Sequence, residues 1–462
     1  MESFGGLVLL VAAVVALLWA NSQWAGSYHH LWELPIRIGL AGWEFEMTLH
    51  HFINDGLMVV FFFLVGLELK REALMGELAS PRAAILPIGA AVGGMLVPAA
   101  LYAALNAGGE GGAGWGIPMA TDIAFALGVL ALIGSRVPVG VKLFLTALAI
   151  IDDLGAVLVI ALFYTAELNV TALAAAGVIL AGLVAMNRLG VRRPGAYAVV
   201  GVALWAAVFT SGIHPTIAGV LLALTIPAQT RIDPDAVLET GRGILDEFGG
   251  SGTEGERGPA SEDRQSMLQM LKSLCDAGQS PLQRIEQGLH SWVAFGIIPL
   301  FALANAGVLL GEGFAQALTH SVTLGVILGL ALGKPIGIIL FSWLAVRSRL
   351  AVLPPATSWR ALVGVSFLGG IGFTMSLFIA SLAFGEGSAL LDAAKVGILA
   401  ASLIAATAGW ILLRGDPSTQ AAGSPSPAGD PDMADAAVPW REVSAAGVEA
   451  RDRIGVLCPG SG

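Results

Sequence analysis

The sequence predicts an all-α polytopic membrane protein with about twelve transmembrane helices and one small periplasmic β-hairpin. Three observations predict it. Of 462 residues, 56 % are hydrophobic and 13 % charged, with a mean hydropathy of +0.78; an ordinary soluble domain is roughly 25 % charged. Apolar runs long enough to cross a bilayer recur along the chain. Lysine and arginine collect in alternate connections between those runs. This composition excludes an ordinary cytosolic enzyme. The net charge of −10 disfavours polyanions, so no nucleic-acid partner is expected.

In order, the runs lie near Phe4–Ala20, Phe52–Leu67, Ala83–Leu105, Ile117–Gly134, Leu143–Tyr164, Val170–Asn187, Ala196–Phe209, Gly212–Pro227, Trp292–Leu310, Val322–Val346, Ala361–Phe384 and Val396–Leu413. The seventh and eighth are short, with Thr210–Gly212 between them. Backbone in lipid must satisfy its own hydrogen bonds, so the runs are helices. A barrel would instead show alternating ten-residue strands. Only Met1-Glu2-Ser3 precede the first run. Without a basic start it reads as a retained span, not a signal peptide.

Twenty-one of the 24 basic residues lie in alternate loops or the C-terminal tail. They include Lys70, Arg71 and Arg82; Arg136 and Lys142; Arg188, Arg192 and Arg193; and Arg347, Arg349 and Arg360. The opposite loops hold only Arg37 and Lys395. The positive-inside rule then puts both termini in the cytoplasm.

Most of the negative charge sits outside the spans. Residues 229–289 carry 11 acids and 6 bases, and residues 415–462 carry 7 acids and 3 bases. The expected organisation is spans 1–8 over 1–228, an acidic cytoplasmic loop over 229–289, spans 9–12 over 290–414 and a disordered tail over 415–462. Within the loop, Gly241–Pro259 reads as disordered and Glu262–Ala277 as a short amphipathic helix. In the Pro/Gly/Ala/Ser-rich tail, Trp440–Ile454 could form a short helix. Cys275 and Cys458 form no framework or zinc spacing, and no cofactor is expected.

The first outer connection alternates Ile36, Ile38 and Leu40, then Trp43, Phe45 and Met47, around Ala41-Gly42. This is a β-hairpin pattern. A two-stranded hairpin alone is only marginally stable. It either packs on its own helices or pairs with a second subunit through its open edge, which makes a homodimer through 35–48 the partner expectation.

Charges inside spans need a reason to be there. Asp152 and Asp153 are the tenth and eleventh residues of the fifth run, and Lys334 is the thirteenth of the tenth run. Asp122 follows Thr121 in the fourth, and Asp55 lies near the outer end of the second. Adjacent aspartates project about 100° apart on a helix, so they cannot both face one partner. One can pair with Lys334 while the other faces a water-filled cavity. The structural alternative is a buried Asp–Lys pair that only ties helices together. Spans 4 and 11 look broken, at Gly116–Asp122 and Gly369–Ser376. They are the middle members of two triplets of opposite polarity. Interrupted helices in corresponding places of an inverted repeat point to a transporter binding site. Asp122 can offset the positive helix ends there, and Lys334 the negative ones. Close helix packing is the alternative role for the glycines.

Several segments together resemble the NhaA-type sodium/proton antiporters. They are Ala120–Gly128, Ala149–Gly155, Gly333-Lys334-Pro335, Asn54-Asp55 with Val65–Glu72, and Gly370–Ser376. The resemblance covers about 4–228 and 282–413. This family is itself a type case of the inverted-repeat rule, so that agreement is not independent. The resemblance implies a bacterial inner-membrane antiporter that exports Na⁺ or Li⁺ in exchange for protons. It implies Asp153 as the main cation carboxylate, with Asp152 beside it. It pairs Lys334 with Asp152 in one state, with Thr121 and Asp122 at the crossing of the broken helices. A pH-sensing cluster would fall on Glu68, Glu72, His214 and Glu286. Gln287 departs from relatives with histidine there, and the acidic insert immediately precedes Glu286. His214 beside Pro215 can equally be a buried, satisfied histidine.

Na⁺ is a hard cation suited to carboxylate, hydroxyl and water oxygens, and protons compete for the same carboxylates. If two protons exchange for one Na⁺, the cycle moves charge and the membrane potential drives it. The second proton travels on Asp152 or on Lys334. The alternative function is a proton- or sodium-coupled symporter of a small organic solute, which needs a larger polar cavity. An intramembrane aspartyl protease would need a Gly-x-Gly-Asp motif that Asp152 and Asp153 do not provide.

Overall fold

The computed structural model describes residues 2–40, 43–134, 137–165, 168–229, 238–244, 262–309, 314–354 and 357–415. They form two compact units. The larger takes in the chain up to Ile226 and again from Glu286, and the smaller includes Pro227–Ile285.

In the smaller unit a helix runs over 238–244 and another over Glu262–Gly278. The disorder expected over Gly241–Pro259 therefore does not reach 241–244. Gly241 and Ile244 are buried at helical spacing, and Gly241 faces Leu271 and Leu274. Residues 245–259 lie outside the described residues, as do Ala41-Gly42 and the tail with Trp440–Ile454. Ser280 and Gln283 then form a reciprocal capping box, Gln283 N–H to Ser280 Oγ at 3.2 Å and Ser280 N–H to Gln283 Oε1 at 3.1 Å.

The larger unit is mostly helical. Seven helices are long and apolar enough to cross a membrane: Leu49–Met75, Pro81–Asn106, Val139–Phe163, Val170–Arg188, Pro281–Asn305, Ser321–Arg347 and Ala389–Arg414. Three bent pairs raise the number to ten, namely Phe4–Ala20 with Ala25–Trp32, Glu110–Met119 with Ile123–Ile133, and Trp359–Gly369 with Phe373–Phe384. Pro194–Thr210 and Thr216–Thr225 are shorter apolar helices. Many helices start on a side-chain cap. Thr48, Asn169, Ser358 and Ser388 each accept a backbone N–H from the first turn. Pro81 and Pro194 open theirs, where a missing N–H costs nothing.

Several helices outrun the apolar runs. Leu49–Met75 continues through Lys70, Arg71 and Glu72, and Pro281–Asn305 begins well before Trp292. Hydropathy falls at those charges, but Leu, Glu, Lys, Arg and Gln keep their helix propensity. Burial divides the helices. In the most apolar window of Val139–Phe163, 61 % of residues are buried, against 11 % in Val170–Arg188. The first is surrounded by other helices, while the second leaves Val178, Val184 and Leu173 exposed, as a helix facing lipid does.

The hairpin is present. Strands β1 (Pro35–Leu40) and β2 (Trp43–Thr48) pair antiparallel, from Pro35 opposite Thr48 to Leu40 opposite Trp43. Arg37 and Glu46 are an exposed cross-strand pair 3.0 Å apart, of the kind that contributes little to stability.

Three helices contain a wide π turn, at Phe52–Leu57, Val293–Ile297 and Gly329–Gly333. The last two come immediately before Ile298-Pro299 and Lys334-Pro335. A proline cannot donate to the carbonyl four residues back, so the helix widens just upstream. The Lys334 N–H then bonds to the Gly329 carbonyl. Beyond the turn, the Lys334 helix lies against Pro81–Asn106 so closely that a Cβ on Gly337 would strike the Gly93 carbonyl. Glycine at both positions brings Lys334 into the interior.

Candidate functional site

Two helix breaks meet in the middle of the larger unit. The 3₁₀-wound stretch Glu110–Met119 ends after Pro118, and Ile123–Ile133 leaves at 44°. Between them, Ala120 and Asp122 are extended. The second break is at Gly370–Gly372, where Trp359–Gly369 and Phe373–Phe384 differ by 42°. The Asp122 N–H donates to the Ile371 carbonyl at 2.7 Å, and Ser376 Oγ donates to the Ile117 carbonyl at 2.7 Å.

Each break exposes one helix end of either polarity, and side chains meet all four. Asp122 accepts from Phe125 N–H at 2.9 Å, which caps one N-terminus. Its other oxygen accepts from Thr374 N–H at 3.0 Å and Thr374 Oγ1 at 2.5 Å, which caps the second. On the C-terminal side, Lys334 Nζ donates to the Met119 carbonyl. Thr121 Oγ1 lies 2.8 Å from the Gly369 carbonyl and 2.7 Å from Asp152 Oδ2, one proton serving either. Negative charge at N-termini and positive charge at a C-terminus is the favourable sense of the helix dipole.

Lys334 also reaches Asp152 Oδ2 at 2.8 Å, with both side chains fully buried. Asp153, one residue on, does not share this partner. It is 1 % exposed, and its Oδ1 is buried without a hydrogen-bond partner; Asp152 Oδ1 is the same. Buried carboxylate oxygens left unsatisfied are costly, so the pair forms an acceptor set suited to a proton, a water or a hard cation.

The residues assigned to pH sensing divide. Arg71 binds Glu286 through Nη1 and Glu72 through Nη2, the latter at 3.0 Å. His290 Nδ1 lies 4.0 Å from Glu68. His214 does not join them. Its Nε2 is 3.4 Å from Asp55, its Nδ1 is 2.8 Å from Thr216 Oγ1, and its ring stands edge-on to Phe378. Asp55 and Glu68 are thirteen residues apart on one helix, about 20 Å.

Sequence reasoning missed Thr374, whose only signal was its place just after the Gly-Gly-Ile-Gly break. Thr374→Val should destabilise the protein by about 1.5–3 kcal/mol, because a carboxylate loses a buried donor. Thr374→Ser should restore most of it. Denaturant unfolding in detergent measures both.

The family model described as Na⁺/H⁺ antiporter 1 matches residues 1–413. Proteins named Na(+)/H(+) antiporter NhaA are similar over nearly the whole chain. The one from Koribacter versatilis is 51 % identical, covering 89 % of each chain. That from Acidithiobacillus ferrooxidans is 50 % identical over 88 % of this chain and 94 % of its own. The second NhaA of Syntrophotalea carbinolica is 52 % identical over 89 % of this chain and 94 % of its own. With a family model that spans the described membrane helices and relatives matched at half their residues, the chain belongs to the Na⁺/H⁺ antiporter 1 family.

Proposed function

We propose that this protein is a multi-pass inner-membrane antiporter that exports Na⁺, and Li⁺, in exchange for protons. The observation that carries the reading is the pair of buried, unpartnered oxygens on Asp152 and Asp153 beside the two helix breaks. These carboxylates bind the cation as substrate, with Asp153 as the principal ligand. Thr121 and Lys334 hold Asp152 in place, and Asp122 stabilises the helix ends around them. Protons from outside displace Na⁺ from the same oxygens, and deprotonation inside lets Na⁺ bind. Two protons for one Na⁺ make the cycle electrogenic. Two groups of helices related as inverted repeats rock about the crossed breaks, so that the site faces one side at a time.

In this reading twelve spans cross the membrane, the two short helices included. The basic residues keep both termini cytoplasmic. The loop over 229–289 and the tail over 415–462 are cytoplasmic appendages, and the 35–48 hairpin pairs with its copy in a homodimer. Activation at alkaline pH involves the Glu68, Glu72 and Glu286 carboxylates around Arg71, with His214 acting separately through Asp55. A solute symporter is not favoured, since no relative described above carries such a name.

In everted vesicles with a preformed proton gradient, adding Na⁺ or Li⁺ should dissipate the gradient, more strongly at pH 8.5 than at pH 6.5. Absence of a response to either ion across pH 6.5–9 would overturn the antiporter reading.

A further inference from the structure

A second polar constellation lies far from the aspartates, at the opposite end of Leu49–Met75 from Lys70. Glu386 sits in the connection between Phe373–Phe384 and Ala389–Arg414. Its Oε1 is 2.5 Å from His50 Nδ1 and 3.9 Å from His51 Nδ1. The contact joins residues 336 positions apart. It also joins two groups of helices. Leu49–Met75 packs chiefly on Thr216–Thr225, whereas Ala389–Arg414 packs on Trp359–Gly369, Ser321–Leu328 and Phe373–Phe384.

His50 Nδ1 has a second neighbour. The Asn54 amide nitrogen lies 3.4 Å away, one turn along the same helix. Asn54 Oδ1 in turn accepts from Asn305 Nδ2 at 3.0 Å, a buried link to Pro281–Asn305. One ring nitrogen cannot serve both neighbours. Carrying a proton, Nδ1 donates to Glu386. Without it, the lone pair can only accept, and the Asn54 amide is the donor within reach.

We propose that His50 is a pH-sensitive latch: the charged ring must carry a proton on Nδ1 and ties the ends of two helix groups together through Glu386, whereas the neutral ring can keep its one proton on Nε2 and turn its Nδ1 lone pair to Asn54. Its placement on the outer side rests on the orientation proposed above. The other groups facing Glu386 are His51, whose Nδ1 is 3.9 Å away, and Lys395, with Asp392 the other acid near Lys395. The hydrogen bond from His50 holds the Glu386 carboxyl below the usual range, against the opposing effect of burial. Glu386 therefore contributes fully above the ordinary carboxylate range, and its contribution is lost as pH falls through the lowered value. The His50 side chain is 15 % exposed and that of Glu386 44 %, so the pair is open to solvent on the Glu386 side.

A double-mutant cycle on the full chain tests this, with His50→Gln, Glu386→Gln and both, followed by melting in detergent at pH 6 and pH 9. At pH 6 each single variant should melt about 2 °C lower, and the double no lower than either. At pH 9 that coupling should disappear. His50→Lys, charged at both pH values, should stay coupled to Glu386 at pH 9. Additive effects at pH 6, or equal coupling at the two pH values with His50, would overturn the latch. Melting needs no transport, so a chain that fails to exchange Na⁺ would count against the antiporter reading and leave this result standing.

Discussion

Asp153→Asn should reduce Na⁺-driven proton movement to about a hundredth of the unmutated rate or less while the protein stays folded. The substitution keeps the shape of the side chain. It puts an amide where a carboxylate has its Oδ1 buried without a hydrogen-bond partner, and Lys334 keeps its hydrogen bond to Asp152 and loses only a neighbouring charge. Lys334 and Thr121 are committed to Asp152, and Thr374 to Asp122. The folded state therefore loses little, and the melting midpoint should move by no more than about 2 °C. In the proposed mechanism, what is lost is the negative charge that attracts a cation and exchanges it for a proton. Proteoliposomes loaded at alkaline pH, with Na⁺ added outside, measure the exchange, and Li⁺ should fail in parallel. Full activity in Asp153→Asn would move the cation site elsewhere.

The parts of this site that could be read from the sequence are those where lipid makes a residue type expensive. Asp122, Asp152, Asp153 and Lys334 stand out because charge in an apolar run needs a partner or a function. Pro118 and Gly369–Gly372 mark the breaks because proline and clustered glycine disfavour a continuous helix. The hairpin follows from its period of two. The rest depends on geometry that periodicity does not carry. Thr374 is an unremarkable residue until the fold sets its hydroxyl against Asp122. The wide turn before Lys334 alters the helix by one residue, which a hydropathy window averages away. The boundaries moved for a related reason, since Lys70, Arg71 and Glu72 end an apolar run without ending a helix. Glu386 and His50 belong to separate connections, and nothing local joins them.

Lys334→Ala should be the most destabilising single change at the site. The lysine is fully buried and serves both Asp152 Oδ2 and the Met119 carbonyl. Its removal strands a carboxylate in the interior with only Thr121 to hold it, and leaves a helix C-terminus without a cation. Breaking a buried pair by deleting one partner costs about 3–5 kcal/mol, mostly from the charge left behind. In a chain of this size that is a fall in melting midpoint of about 3–5 °C. The origin of the loss can be separated from simple cavity formation. If the stranded charge dominates, Asp152→Leu combined with Lys334→Met should melt higher than Lys334→Ala alone, because no unpaired ion remains. Recovery should stay incomplete, since the Met119 carbonyl still lacks its donor. A double variant no more stable than Lys334→Ala would mean that packing around the lysine stem, and not its charge, holds the broken helices together. Exchange should remain low in both variants, because Asp152, Thr121 and Lys334 are one hydrogen-bonded unit and Asp153, the cation ligand in the proposed mechanism, is the next residue on the same helix.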